Sequence, residues 1–142
     1  MVHGTRSGEI SHYLIYSGLL KMVSDAPSVF ERQPAVIQFI SKIHTVWDDT
    51  KVLEEKFGDY LVEARKTGNI WYVASLNGET PKDITVGFSF LGEGSFTAQI
   101  LKDGPNAEKA GTEYLLENIN INKTTKLVLP VAKGGGFVVG VE

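Results

Sequence analysis

Two adjacent pairs of acids, Asp48-Asp49 and Glu54-Glu55, are the first candidates for general acid–base chemistry. Both lie in strand-like stretches, where neighbours point to opposite faces of a sheet. Glycoside hydrolysis needs two carboxylates that flank one bond from separate positions in a cleft. Neither pair meets that geometry, so all four read as solvated surface acids. His3, His12 and His44 show neither HExxH nor HxH spacing, and His12 has no partner four residues away. No metal-ligating set emerges from them. The serines lack a G-x-S-x-G elbow, and Ser17-Gly18 sits in an apolar helix where a small residue permits close packing. Gly134-Gly135-Gly136 has the composition of a phosphate loop. Strand-like Phe137-Val138-Val139 follows it, however, in place of the helix N-terminus that would hold an anion. It reads as a turn. With no cysteine in the chain, a disulfide framework, a zinc–thiolate site and cysteine catalysis are all excluded. No residue is therefore assigned as catalytic, cofactor-binding or metal-binding.

Aromatic residues offer a different chemistry. Trp71, Tyr72, Phe88, Phe90 and Phe96 could form a sugar-stacking platform. Trp71 and Tyr72 are neighbours on one strand, so they must face opposite ways. The reading is Trp71 in the core and Tyr72 on the opposite face, which leaves one outward ring and a thin platform.

The elements that position these residues change character near residue 47. Ser7 to Ser24 reads as one helix, closed by Pro27, and Pro34 suits the first position of a second helix, Ala35 to Lys42. From Asp48 onward, turn signals such as Gly58-Asp59, Asn77-Gly78 and Gly92-Glu93-Gly94 separate eight short stretches. These are Lys51–Phe57, Tyr60–Lys66, Ile70–Leu76, Ile84–Leu91, Phe96–Leu101, Tyr114–Ile121, Lys126–Val131 and Phe137–Val141. Ile84, Val86, Phe88 and Phe90 share one face, the mark of a half-buried antiparallel strand. The expected fold is mainly β: an antiparallel β-sandwich of about eight strands preceded by two N-terminal helices. The division is a helical segment over 1–46 and a β-sandwich domain over 47–142, with Trp47 anchoring one on the other.

The 142 residues are 42% hydrophobic and 22% charged, which suits an ordinary globular domain. Fourteen basic against seventeen acidic residues leave a net charge of −3 and no reason to expect a nucleic-acid or anionic-membrane partner. The first residues lack the basic-then-apolar pattern of a secretory signal. The most apolar stretch, Tyr13 to Val23, falls short of the roughly 18 apolar residues that span a membrane.

That stretch is nonetheless too apolar for a surface helix. Eight of its eleven residues are apolar, and they spread around the whole cylinder where a single stripe would be expected. Such a helix belongs between two layers, so a second copy of the chain or a larger parent protein must supply one of them. The expected partner is another copy, in a homodimer, with Tyr13, Leu14, Tyr16, Leu20 and Val23 as the interface candidates. A monomer in which the second helix covers the exposed side is the competing arrangement.

Several ordered motifs resemble a known family. Thr45-Val46-Trp47-Asp48-Asp49-Thr50-Lys51-Val52-Leu53, Gly58-Asp59-Tyr60-Leu61-Val62-Glu63-Ala64-Arg65, Trp71-Tyr72-Val73, Leu91-Gly92-Glu93-Gly94 and Lys102-Asp103-Gly104-Pro105-Asn106-Ala107 are similar to the C-terminal region of glycoside hydrolase family 97. Gly4-Thr5-Arg6 and Met22-Val23-Ser24-Asp25-Ala26-Pro27-Ser28 resemble the family's last barrel segment, so the likeness runs through essentially the whole chain. Where the family often carries a second tryptophan after the Trp-Tyr strand, this chain has Leu76-Asn77-Gly78-Glu79. The resemblance implies a calcium-dependent α-glucosidase or α-galactosidase, periplasmic or secreted. It would be built from a β-supersandwich, a (β/α)8 barrel and a C-terminal β-sandwich associated with oligomerisation. The family's catalytic carboxylates and calcium ligands lie upstream of any residue here, so no cofactor is expected in this chain. The expected function is a non-catalytic domain serving stability and oligomerisation. An independent carbohydrate-binding module is the alternative, and an enzyme with a site built from other residues is the third reading.

Overall fold

The computed structural model describes residues 4–15, 28, 31–32, 34–43, 47–107, 109–110 and 113–142, Tyr13 by its backbone alone. Helices α1 (Arg6–Ile15) and α2 (Pro34–Ser41) precede eight strands. The strands are β1 (Asp49–Lys56), β2 (Tyr60–Thr67), β3 (Ile70–Asn77), β4 (Lys82–Gly87), β5 (Phe96–Asp103), β6 (Tyr114–Ile121), β7 (Lys126–Val131) and β8 (Gly136–Val141).

Local chemistry accounts for the helix starts. Thr5 caps α1: its Oγ1 accepts the Gly8 N–H at 3.0 Å, and its carbonyl accepts the Glu9 N–H at 2.9 Å. Pro34 opens α2, where its missing N–H costs nothing. The remainder of the expected helix, Tyr16 to Ser24, lies outside the described residues. Every expected strand is present. The fourth ends at Gly87, four residues earlier than its alternation suggests, because Leu91 donates to the Phe88 carbonyl at 3.0 Å and closes a turn. Phe88 is still fully buried from that turn, so the pattern reported burial correctly and extension wrongly.

The strands form two antiparallel sheets. One has six strands in the order β1-β2-β3-β8-β5-β6, with a bulge at Leu53 in β1; the other pairs β4 with β7. The larger sheet is covered on both faces. Val73, Ile100, Phe137 and Val139 meet Val86, Phe88 and Leu129 from the β4/β7 side. Tyr72, Ala74, Leu101 and Val138 meet Ile10 and Leu14 of α1 and Val36 and Phe39 of α2 on the other. The layout is a sandwich with a helical third layer.

Double coverage corrects one expectation. Trp71 and Tyr72 do face opposite ways, but both are buried, at 9% and 4% exposure. Tyr72 meets the helical layer where solvent was expected. Its hydroxyl donates to the Lys42 carbonyl at 2.9 Å, and Trp47 packs edge-on to its ring at 5.7 Å between centroids. The expected role of Trp47 as an anchor on the sheet is thereby met.

Candidate functional site

The buried polar chemistry of the chain gathers where α1 meets the large sheet. Of the nine α1 residues with described side chains, only His12 is exposed. Ile10, Leu14 and Ile15 supply its apolar contacts, and each fully buried aliphatic side chain of this kind contributes about 1.5–3 kcal/mol. Arg6, Ser7 and Ser11 are equally buried, and such groups are costly unless they are hydrogen-bonded.

A backbone seam seats the N-terminal half of α1. A Cβ placed on Gly8 would come within 2.6 Å of the Gly134 carbonyl oxygen, and one on Gly136 within 2.2 Å of the Ser75 carbonyl oxygen. The turn before β8 therefore approaches the helix backbone closely enough to require glycine. Ser11 Oγ lies 2.9 Å from both the Ser7 and Phe137 carbonyl oxygens, so its single proton serves one of them at a time. Arg6 donates to Glu9 at 2.8 Å, one turn along.

Beside this seam stands Asp103 at the end of β5, with 5% exposure. Its Oδ2 accepts the Ala132 N–H at 2.9 Å. Burial pushes the carboxyl above the ordinary carboxylate range. The Thr5 hydroxyl, the N–H groups of Ala132 and Gly136 and the Ser7 hydroxyl pull it the other way. At the far end of α1, buried Arg65 of β2 donates to the Ile15 carbonyl at 2.7 Å and lies 3.5 Å from Glu63. Its guanidinium also sits 5.9 Å from the centre of the Trp47 ring. One helix is thus held at both ends by charged groups from strands.

The residues singled out from sequence fall in several places. Asp48 accepts the Gly68 N–H at 2.7 Å, and Asp49 accepts the Thr50 N–H at 2.9 Å. Glu54 accepts the Tyr60 hydroxyl at 2.6 Å, and Glu55 is exposed. These acids serve local turns and a hairpin, and the structure brings no two of them to one cleft. His3 and His44 lie outside the described residues. Among the described residues no group of three or more His, Asp or Glu side chains is placed to share a cation. Of the interface candidates, Tyr16, Leu20 and Val23 lie outside the described residues, as does the side chain of Tyr13. Leu14 needs a correction: it is 1% exposed and packs in the helix–sheet cluster, so it is spent within the chain and presents nothing to a partner. For Leu14 the competing arrangement holds, since it shares one buried cluster with Tyr72, Ala74, Leu101 and Val138 of the sheet and Val36 and Phe39 of α2.

Sequence reasoning passed over Arg6, Arg65 and Asp103. The Thr5 cap and the Arg6–Glu9 spacing were readable signals. Nothing local marks Arg65 or Asp103, whose neighbours come from residues 50 and 29 positions away.

Comparison with known proteins places this arrangement. The family described as glycosyl-hydrolase 97 C-terminal, oligomerisation, matches residues 46–142. A retaining α-galactosidase of Bacteroides thetaiotaomicron is 40% identical over 142 residues, covering 100% of this chain and 22% of that protein. Among solved structures, a glycoside hydrolase family 97 enzyme from Pseudoalteromonas sp. strain K8, in complex with panose, superposes with a TM-score of 0.91 at 29% identity. The match covers 98% of this chain and 22% of that one. A β-arabinopyranosidase follows at a TM-score of 0.79 and 26% identity, over 97% of this chain and 21% of the other. The chain thus spans little more than a fifth of the relatives it matches. It belongs to glycoside hydrolase family 97 and corresponds to that family's C-terminal oligomerisation region.

Proposed function

We propose that this chain is the assembly module of a family 97 α-glycosidase and that it joins two copies as a homodimer. The family match over residues 46–142 carries this reading, because the matched region is described by its role in oligomerisation. Two-fold dimers are the commonest closed assembly, which favours two copies over larger rings. The contact surface is the outer side of the helical layer, where Ile37 of α2 stands 41% exposed while Val36 and Phe39 turn inward. Tyr16, Leu20 and Val23 join it as sequence-based candidates. Leu14 does not. The chemistry of the longer enzyme, by analogy with the retaining α-galactosidase relative, is hydrolysis of an α-galactoside by residues outside this chain.

Sedimentation velocity tests the assembly. The wild type is expected to sediment as a dimer at tens of micromolar, and Ile37→Glu and Leu20→Glu to shift it to a monomer whose circular dichroism shows the fold retained. A wild type that stays monomeric at that concentration overturns the reading. Assay of nitrophenyl α-glucoside and α-galactoside with calcium present is expected to give no turnover; turnover abolished by mutating one acid of this chain would overturn the non-catalytic assignment.

A further inference from the structure

The helix-facing side of the six-stranded sheet is chemically divided. In one register row Ala74, Val138, Leu101 and Leu116 lie side by side across β3, β8, β5 and β6, and this apolar row packs against the helices. Two residues further along each strand, on the same face, the row reads Tyr72, Gly140, Gln99 and Asn118. Beyond that, Glu142 exchanges two 3.0 Å backbone hydrogen bonds with Thr97, which pairs with Asn120. The apolar row is covered; in the polar rows Tyr72 is covered too, while Gln99 and Gly140 are half-buried and Asn118, Thr97, Asn120 and Glu142 are exposed.

Where they meet, a pocket of about 180 Å³ opens. Its floor is Gly140, the one position in its row without a side chain, and a Cβ there would stand 3.3 Å from the Tyr72 ring. The Tyr72 ring thus leans over Gly140 and forms one wall of the pocket. Around it converge Thr97, Gln99, Asn118, Glu142 and Lys42, with Phe39 and Ile70 as apolar walls. Tyr72 is locked in place by its bond to the Lys42 carbonyl. Among the described residues, the side chains of Thr97, Gln99, Asn118 and Lys42 make no hydrogen bond or ion pair within the protein, and the Glu142 charge acts on the Tyr72 hydroxyl.

We infer that this pocket binds a single neutral pyranose, free or at the end of an oligosaccharide. Two planar amides supply donors and acceptors in fixed pairs, which suits vicinal hydroxyls that must both give and accept hydrogen bonds. The Lys42 ammonium adds donors and the Glu142 carboxylate adds acceptors for further hydroxyls. The volume lies below the roughly 300–1,000 Å³ of drug-sized sites, which limits the occupant to about one ring. Half-buried Ile70 offers apolar surface to the C–H face of a sugar, and the edge of buried Phe39 closes the wall behind it. The inference is independent of assembly, since it concerns the sheet end that the apolar helix contacts leave open.

Heteronuclear NMR titration of the 142-residue chain with methyl α-galactopyranoside and methyl α-glucopyranoside tests it. Saturable shifts are expected at Gly140, Gln99 and Asn118, with a millimolar dissociation constant. Gln99→Ala and Asn118→Ala should each weaken binding about tenfold or more without moving the melting temperature, because each removes a paired donor and acceptor at a rim position. A trisaccharide ending in the preferred sugar should give the same shifts, since only its terminal ring enters. Absence of saturable shifts with both glycosides overturns the inference, as do shifts that centre elsewhere or survive both substitutions. Sedimentation on the same samples reads assembly separately, so failure of one reading does not stand for failure of the other.

Discussion

Arg65 Nη2 donates to the carbonyl oxygen of Ile15 across 2.7 Å, tying the second strand of the large sheet to the last residue of α1. The donor is charged and buried, so the bond is of the stronger class. Glu63, 3.5 Å away and largely buried, balances the guanidinium.

Arg65→Met is therefore expected to destabilise the chain by about 2–4 kcal/mol, since it orphans a carbonyl and leaves a buried carboxylate without its cation. Urea denaturation of the two proteins measures this. A loss well under 1 kcal/mol would mean that α1 is held by its apolar contacts alone.

Gly8→Ala separates helix propensity from packing. In an exposed helix the change would stabilise by about 1 kcal/mol. Here the new Cβ would fall 2.6 Å from the Gly134 oxygen and 3.0 Å from the Gly135 carbonyl carbon, both backbone atoms that cannot swing aside. A net loss of about 1–3 kcal/mol is expected from overpacking. Thermal unfolding that shows Gly8→Ala as stable as the wild type would place the helix further from the turn.

Neighbouring aromatics on β3 should respond differently to substitution. Trp71 fills the sheet–sheet core against Phe90, with ring centroids 4.8 Å apart, so Trp71→Ala should cost about 3–5 kcal/mol. Tyr72→Phe keeps the packing and loses only the hydrogen bond to Lys42, a change of about 1 kcal/mol. Equal effects in chemical denaturation would contradict the two-sided burial of the strand.

Asp103 gives the pH dependence a distinctive sign. Its carboxyl is raised in the folded chain by burial, so the folded state takes up the proton before the unfolded state does. The stability linked to that proton is fully present below the ordinary value of 3.8 and is lost as pH rises through the raised folded value. Asp103→Asn cannot titrate. Melting temperatures of both proteins between neutral pH and pH 3.8 should show the wild type gaining on the variant as pH falls. Asp59 runs the other way, since hydrogen bonding to Lys82 lowers its carboxyl, and that contribution is present in both proteins. Parallel curves would mean that Asp103 titrates normally.

Much of the architecture was legible because it depends on short-range rules. Turn residues at regular spacing located all eight strands, and Pro34 marked the start of α2. The stretch from Ile84 to Leu91 shows where that logic stops. Alternation records which side chains are buried, and Phe88 satisfies it from a turn as well as from a strand. Tyr72 shows a second limit: opposite faces follow from the pleat, but whether a face is wet depends on what packs over it.

By itself the sequence determined the elements, their order, the opposition of Trp71 to Tyr72 and, through its motifs, membership of the family. Those properties are local, or are carried in the motifs themselves. The tertiary structure alone decided that Arg65 reaches Ile15, that Asp103 stands by Thr5 and Ser7, and that Gly8 must be a glycine. It also set Gln99 and Asn118 beside Gly140. Each of these depends on strand register and helix placement, which join residues tens of positions apart, and a shift of one residue in register would move every one of those side chains to the other face.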